Sequence, residues 1–491
     1  MPKSTVRAES LHLSIDQGGN SSRAMVFDRR GRLWASGVMP VSTQRPRSGW
    51  VEQDPLDILE SVAASLRAVA EEVGERAAEI RAAGLATQRS SVVCWDRISG
   101  EALSPVISWQ DRRGEDLMRG LRSRRTSALV KASTGLVFSS HYGASKIRWC
   151  LDNLPAVGRA LQQGRLLCGP LASYLLFHLC EERPAVVDSA IAARTLLWDI
   201  RTLDWSPELL EIFGVPRTVL PDCVPCRHEF GRLSLGGVAV PLVVSTGDQC
   251  AALFANGRPE PHDALVNLGT GAFVQRISRS PVGAECGLLR SVVWQDSETT
   301  LRALEGSING CGSALETVGA TLGLDADTVE ANLDSWLAGK ASALLFLNGV
   351  SGLGSPYWVA DYPTQLLGSG EPWQVMVAVL ESIVFLLQIN LQAAAGELGV
   401  PERIVVTGGL AASRGLCQRL ADLSGVGVER SGVREATARG TAFLVAGGSD
   451  EDPADQASER FVPRDNPELR ARFRTWRREL EARLRTSEEA P

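Results

Sequence analysis

The chain has 491 residues, more than one hydrophobic core ordinarily supports, and its 44% apolar and 22% charged residues describe a globular protein of two domains. Lysine and arginine total 51 against 57 aspartates and glutamates, a net charge of −6 without a long basic block, which argues against a nucleic-acid partner. No apolar run reads as long enough to span a membrane and the start, MPKSTVRAES, lacks an apolar signal core, so a cytoplasmic protein away from membranes is expected.

The first element is a strand through Leu11, Leu13 and Ile15 that ends at Asp16. A polar turn follows, Gln17-Gly18-Gly19-Asn20-Ser21-Ser22, and a second strand leaves through Arg23, Met25, Val26 and Phe27. Glycines admit unusual φ and close approach of backbone amides to an anion. Asn20, Ser21 and Ser22 add side-chain donors, and Arg23 adds a fixed positive charge. Asp16 is placed to hold a divalent cation or its waters. The stretch reads as a hairpin gripping a Mg-nucleotide phosphate, or as an ordinary hairpin with a polar turn.

A third strand near 32–41 precedes a helix from about 55 to 73. Asp54 is a suitable N-cap for it, Pro55 suits its first position, and Ile58, Val62, Leu66, Val69 and Val73 form its buried stripe. Strands near 80–87 and 91–95 come next, then a mainly helical region from about 112 to 213. Pro216, Pro221 and Pro225 punctuate a linker before a strand at 239–245.

The second half opens in the same way. A strand at 263–268 enters Gly269-Thr270-Gly271 and a strand at 272–277 leaves it. Further strands are expected near 290–295, 299–305, 343–347 and 403–407. Helices are expected over 311–322, 373–398, 413–423 and 434–446. The shared order suggests two related α/β domains, each presenting a phosphate-binding hairpin to a common cleft. Residues 449–466 read as an acidic loop. Residues 467–486 read as an Arg-rich amphipathic helix packed through Leu469, Phe473, Trp476 and Leu480.

Ten scattered cysteines fit a reducing compartment. Cys223 and Cys226, with His228 behind them, have no second C-x-x-C to complete a zinc set, so an incidental loop pair is expected. Gly247-Asp248-Gln249 ends an apolar strand, where Asp248 is a candidate general base or simply a loop cap. Gly269-Thr270-Gly271 can hold a phosphate on backbone amides. Val405-Val406-Thr407-Gly408-Gly409, with Ser413 at a helix N-cap, is a nucleotide turn or a tight strand–helix connection. Arg89 and Trp109 could grip a small polyol between a guanidinium and a ring, although Trp109 as plain core is equally open. No Walker A sequence and no G-x-G-x-x-G after a strand is present, which disfavours P-loop and dinucleotide folds.

These residues stand in ordered runs: SIDQGGNSSRAMVFD, GWVEQDP, VVCWDR, ISWQDRR, TGLVF, ARTLLWDI, LDWSPELLEIFGVPR, GDQCAALF, LGTGAF, ALEGSI and GLGSPYW. From the N-terminus to about residue 445 the chain resembles the FGGY carbohydrate kinases, most closely the glycerol kinases among them. The resemblance implies an α/β fold of two actin-like ATPase (ribonuclease H-like) domains around a central cleft. Residues 1–255 would bind the acceptor and carry the first phosphate hairpin, 256–448 would bind nucleotide, and 449–491 would be the acidic loop and closing helix. It implies transfer of the γ-phosphate of ATP, with Mg2+, to a hydroxyl of a small polyol or sugar, in a homo-oligomer such as a dimer or tetramer.

Carried over by position, Asp248 resembles the catalytic base and Asp16 the acid near the metal. Gly18, Asn20, Ser21, Arg23, Gly269, Thr270, Gly409 and Ser413 fall at nucleotide positions. Arg89, Ser90, Trp109, His141, Gln249 and Phe273 fall at acceptor positions. The family's usual glutamate after the arginine is here Ser90, and a tyrosine is here His141. Gly19-Asn20 replaces a Thr-Thr pair, Ser413 replaces an asparagine, and residues 359–381 lack the usual glycine pattern. A charge-assisted hydrogen bond contributes roughly 1.5–3 kcal/mol, so the change at Ser90 alters the acceptor pocket by about ten- to a hundredfold in affinity. The leading expectation is a kinase of glycerol or a close relative. The alternatives are a kinase of a longer acceptor, such as a tetritol or a ketose, and a nucleotide-binding regulator without catalysis.

Overall fold

The computed structural model describes residues 10–448 and 458–488, apart from 282, 284 and 340–342. The described chain divides into two compact units. The first comprises residues 10–259, 290–302 and 435–448, and the second the remainder. The boundary near 259 lies close to the one expected at 255. Residues 290–302 and 435–448 pack with the first unit.

The first unit is built on a six-stranded sheet. It uses β1 (Leu11–Gln17), β2 (Ser21–Asp28), β3 (Leu33–Pro40), β4 (Ile80–Thr87), β7 (Arg227–Leu235) and β8 (Val238–Gly247). The order is β7-β8-β4-β1-β2-β3. β1 pairs antiparallel with β2 and parallel with β4, and β4 pairs parallel with β8. Helix α1 (Pro55–Val73) covers one face through Ile58, Val62, Leu66 and Val69, all buried. Asp54 caps it by accepting from the Leu56 amide at 2.8 Å, a bond of the kind that contributes ~1 kcal/mol. The helix lies so close to β3 that a Cβ on Gly37 would stand 2.4 Å from the Ser65 carbonyl.

The region expected to be mainly helical also holds strands. Within it, β6 (Leu166–Pro170) pairs antiparallel with β5 (Val92–Asp96), the strand expected near 91–95, and β5 joins the short Val106–Ile107 and Glu52–Gln53 strands in a second small sheet. Helix α2 (Gly143–Asn153) follows the loop that carries His141, and α3 (Asp248–Ala252) begins where β8 ends.

The second unit repeats the scheme. It uses β9 (Asp263–Leu268), β10 (Ala272–Ser278), β11 (Thr300–Ile308, in this unit from Ala303 on), α4 (Gly312–Thr321), α5 (Pro372–Leu398), β12 (Arg403–Thr407), α6 (Arg414–Ser424) and β13 (Gly427–Arg430). The strands run β11-β10-β9-β12-β13, with β9–β10 antiparallel and both β9–β12 and β12–β13 parallel. The first sheet has the same core order, β3-β2-β1-β4-β8, and its β1–β2, β1–β4 and β4–β8 pairs run in the same directions as β9–β10, β9–β12 and β12–β13. The duplication expected from pattern alone is therefore present as shared topology. Pro372–Leu398 corrects the reading that no run reaches membrane length, since it is long and apolar enough. It is the buried core helix of this unit, with Ile383, Val384, Phe385 and Leu387 at its centre.

The chain re-enters the first unit as α7 (Ala436–Val445). This helix lies directly on β4 and α3. A Cβ on Gly84 would be 2.6 Å from Val445, and one on Gly440 would be 1.8 Å from the Ala251 carbonyl. The expected acidic loop lies partly outside the described residues, and its described end forms β14 (Glu459–Phe461), antiparallel to β13. The closing helix α8 (Pro467–Glu488) buries Leu469, Phe473, Trp476 and Leu480, as its pattern required. Trp476 donates to the Phe346 carbonyl at 2.7 Å.

Candidate active site

The β1–β2 turn of the first unit is closed by the Gly18 amide on the Ser21 carbonyl at 2.9 Å. Its carbonyls are held from beneath. Gln17 Nε2 donates to Gly18 O at 2.7 Å, Gln53 Nε2 to Gly19 O at 2.7 Å, and Gln88 Nε2 to Gln53 Oε1 at 2.9 Å. A Cβ on Gly19 would meet nothing within 4 Å, so the space over the turn is open. Asn20 is exposed and Ser21 half-buried.

Asp16, at the end of β1, is buried and 3.3 Å from Arg23 on the paired position of β2. Arg23 also stands 3.7 Å from Glu435, beside α7. Burial, then the Asp248 charge, pushes the Asp16 carboxyl up to about 7 against the pull of Arg23. A buried carboxylate compensated by one arginine suits a hard divalent cation. Among the described residues no group of three or more His, Cys, Asp or Glu could hold a metal by itself. Asp16 could therefore serve a divalent cation only as a single protein ligand, directly or through water.

Asp248 opens α3, with its Oδ1 accepting from the Gln249 amide at 2.7 Å. Burial raises its pKa, opposed by the Arg89 and Arg194 charges. Arg89 donates to the Gln249 carboxamide and lies 3.8 Å from Cys250 Sγ. Thr437 of α7 donates to the Asp248 carbonyl at 3.3 Å. The acid thus sits between a strand end and a helix that reaches it through tight glycine packing.

Ser90 follows in the left-handed region, φ +65°, uncommon for a residue with a side chain. Its hydroxyl donates to the Arg194 carbonyl at 3.3 Å, and the residue is buried. Trp109 keeps 38% of its surface exposed and meets the His141 ring edge-on, centroids 5.7 Å apart. The buried ammonium of Lys146, on α2, donates to the backbone carbonyls of both Ser90 and His141. Burial pushes it down to about 7, against the Asp111 charge. The His141 residue is exposed at its surface, yet enclosure by protein lowers its pKa well below the usual value, helped by Lys146, Arg194, Arg89 and Arg112.

In the second unit, Gly269 N donates to Gly271 O at 2.9 Å. The carbonyls of this turn accept the first amides of α4: Gly312 N to Gly269 O at 3.0 Å, and Ser313 N to Thr270 O at 3.1 Å. Gly408 adopts φ +93°, and its Cβ would stand 2.5 Å from the Leu268 carbonyl, while Gly409 has open space around it. The Ser413 hydroxyl is engaged within the protein: it donates to Asp334 at 2.6 Å and caps α6 by accepting from the Leu416 amide at 3.2 Å. The hydroxyl expected at a nucleotide position therefore has a structural role. Phe273, half-buried on β10, lies in the second unit, whereas every other acceptor candidate lies in the first.

The structure gathers Asp16, Arg23, Arg89, Ser90, Trp109, His141, Asp248 and Gln249 into one unit. Sequence reading did not single out Lys146, Arg194, Gln53 or Glu435. For Lys146 the only signal was a lone charge in Gly143-Ala144-Ser145-Lys146-Ile147. The Cys223–Cys226 pair divides its contacts, Cys223 accepting from Trp198 at 3.2 Å and Cys226 facing Asp188 at 3.9 Å.

Comparison with known proteins matches residues 11–255 to the N-terminal domain and 264–447 to the C-terminal domain of the FGGY family of carbohydrate kinases. The glycerol kinase of Halorhodospira halophila is 35% identical over 88% of this chain and 87% of its own length. Glycerol kinase 2 of Thermotoga maritima is 33% identical over 94% and 96%. Among solved structures, Plasmodium falciparum glycerol kinase with ADP superposes with a TM-score of 0.87 at 24% identity, covering 97% of this chain and 98% of that one. A xylulose kinase from Rhodospirillum rubrum gives 0.85 at 22%, covering 97% and 98%. Both domain models match in order and together cover most of the chain, which therefore belongs to the FGGY family of carbohydrate kinases.

Proposed function

We propose that the protein transfers the γ-phosphate of ATP to a primary hydroxyl of a small polyol or a close relative, with Asp248 as general base. The observation that carries this reading is Asp248 itself: a carboxylate at a strand end, held by its own helix start and by α7, with its pKa raised by burial. A base whose pKa is drawn toward neutrality matches the proton it must take. Phosphoryl transfer asks little covalent chemistry of the protein, and positioning with charge stabilisation supplies most of the acceleration.

Asp248 accepts the acceptor's proton as the hydroxyl oxygen forms its bond to the γ-phosphorus and the bond to the bridging oxygen of ADP breaks. Arg23 offsets charge on the transferring phosphoryl group, and the Gly18–Asn20 turn offers its open face to phosphate. Gly269 and Thr270 would approach phosphate through backbone, and Gly409 leaves room for the nucleoside. Bound Mg2+, with Asp16 as its protein ligand directly or through water, would neutralise phosphate charge. Arg89, Trp109, His141 and Gln249 orient the acceptor.

Asp248→Asn tests the assignment. It keeps size and the helix start while removing the base, so kcat falls by about a thousandfold, within the range of general-base contributions, with ATP affinity changed little. A variant retaining most of the parent's phosphorylating rate overturns the role of Asp248.

A further inference from the structure

Beneath the β1–β2 turn lie four buried polar side chains, Gln17, Gln53, Gln88 and Ser91, all in the first unit, that the phosphoryl-transfer step does not use. They form one unbroken chain of hydrogen bonds. The Trp109 amide donates to Ser91 Oγ at 3.0 Å, and Ser91 Oγ donates to Gln88 Oε1 at 2.9 Å. Gln88 Nε2 then donates twice, to Gln53 Oε1 at 2.9 Å and to Gln17 Oε1 at 3.2 Å. Gln53 Nε2 and Gln17 Nε2 end on the turn carbonyls, Gly19 O and Gly18 O, both at 2.7 Å. Gln53 keeps a second, longer bond to Thr43 Oγ1 at 3.3 Å. Ser90, at φ +65°, turns the backbone between Gln88 and Ser91.

The direction of every bond is fixed from the two ends. A backbone N–H can only donate and a carbonyl can only accept. Trp109 therefore makes Ser91 an acceptor toward it and leaves the Ser91 proton for Gln88. Gly18 and Gly19 make Gln17 and Gln53 donors toward the turn and leave their side-chain oxygens for Gln88. Gln88 answers both demands, with its oxygen on the Trp109 side and its NH2 on the turn side. In a trans peptide the C=O and N–H point opposite ways. Drawing the Gly18 and Gly19 carbonyls inward thus turns the Gly19 and Asn20 amides toward the open face of the turn, where a Cβ on Gly19 would meet nothing. Hydrogen bonds in series polarise one another, so each link strengthens the next.

We propose that Gln88 is a positioning residue that ties the acceptor position at Trp109 to the phosphate turn, so that acceptor and ATP each bind more tightly when the other is bound. The coupling rests on the kinase reading above and adds to it a link between its two sites. An acceptor packed on the Trp109 ring holds that residue's backbone in place, and the relay passes the restraint to the two turn amides. Phosphate on those amides acts back by the same route, as linkage requires. Gln88 itself touches neither ligand.

The test measures binding of the β,γ-imido analogue of ATP with Mg2+ by calorimetry, alone and with saturating glycerol, erythritol or xylulose, and follows phosphorylation of the same three by ATP. With at least one of them the parent binds the analogue about fivefold or more tightly, the lower end of ordinary coupling between sites. Ser91→Ala opens the relay at its Trp109 end, and the gain falls below about twofold. Gln88→Glu reverses the polarity of the hub. A carboxylate offers acceptors only, so Gln17 and Gln53 turn their amides to it and away from the Gly18 and Gly19 carbonyls. The gain is lost, and the analogue alone binds about tenfold more weakly. A merely structural role would weaken both states alike and leave the gain unmoved, so a gain that survives in either variant overturns the relay. Ser91→Ala, which removes one hydroxyl, carries the test if Gln88→Glu does not fold. Phosphorylation of an acceptor with no gain in the parent overturns the coupling and leaves the kinase reading standing. Neither binding nor phosphorylation of any of the three, with the analogue still bound, overturns both.

Discussion

The β1–β2 and β9–β10 turns occupy the same place in two sheets of the same strand order, yet they are built from different materials. The first is charged: Asp16 and Arg23 face each other at 3.3 Å across the strand pair, and the turn carbonyls rest on glutamine side chains. The second has no charged side chain in the turn. Its carbonyls take up the amides of α4, and Gly312 and Gly408 permit approaches that a Cβ would block. One topology thus carries two different turns. On the proposed reading the first would offset charge on the transferred group and the second would admit a phosphate close to backbone.

The contrast can be broken from either side. The largest effect is expected on the charged side, where Arg23→Ala lowers kcat about a hundredfold, as for loss of one preorganised charge donor, with fold stability little changed. A loss confined to KM for ATP would show that Arg23 binds phosphate without acting in the transition state. Next comes the backbone side. Gly408→Ala meets both a positive φ and the Leu268 carbonyl at 2.5 Å, and lowers unfolding free energy in urea by about 1–3 kcal/mol. An unchanged midpoint would mean that the Gly408–Leu268 approach can relax freely. The smallest effect is Gln53→Ala, which removes the 2.7 Å support of Gly19 O and costs about 1 kcal/mol, read as a roughly fivefold rise in KM for ATP. No rise would separate the glutamine scaffold from nucleotide binding.

Much of this was legible in the chain because both turns place glycines between apolar runs of strand length. Their topological equivalence then followed from element order. Strand β13 was missed because Gly427-Val428-Glu429-Arg430 is short and carries no alternation, and only pairing with β12 makes it a strand. The assignment of α7 to the first unit was invisible for a different reason. It depends on Gly84 and Gly440, which are unremarkable in sequence and acquire meaning only where helix meets strand and helix. Ser413 was placed correctly as a cap, but its second partner, Asp334, lies 79 residues away and could not be read from the sequence. Lys146 shows the same limit, since a buried lysine is read from what it touches.

The central claim is transfer of a γ-phosphoryl group to a hydroxyl, and the most direct measurement follows γ-labelled ATP with a panel of polyols, ketoses, aldoses and their acids. The account predicts label in a phosphate ester of at least one acceptor, formed in step with ADP. Tight ATP binding with no label passing to any acceptor would contradict it and identify a nucleotide-binding regulator on a kinase fold.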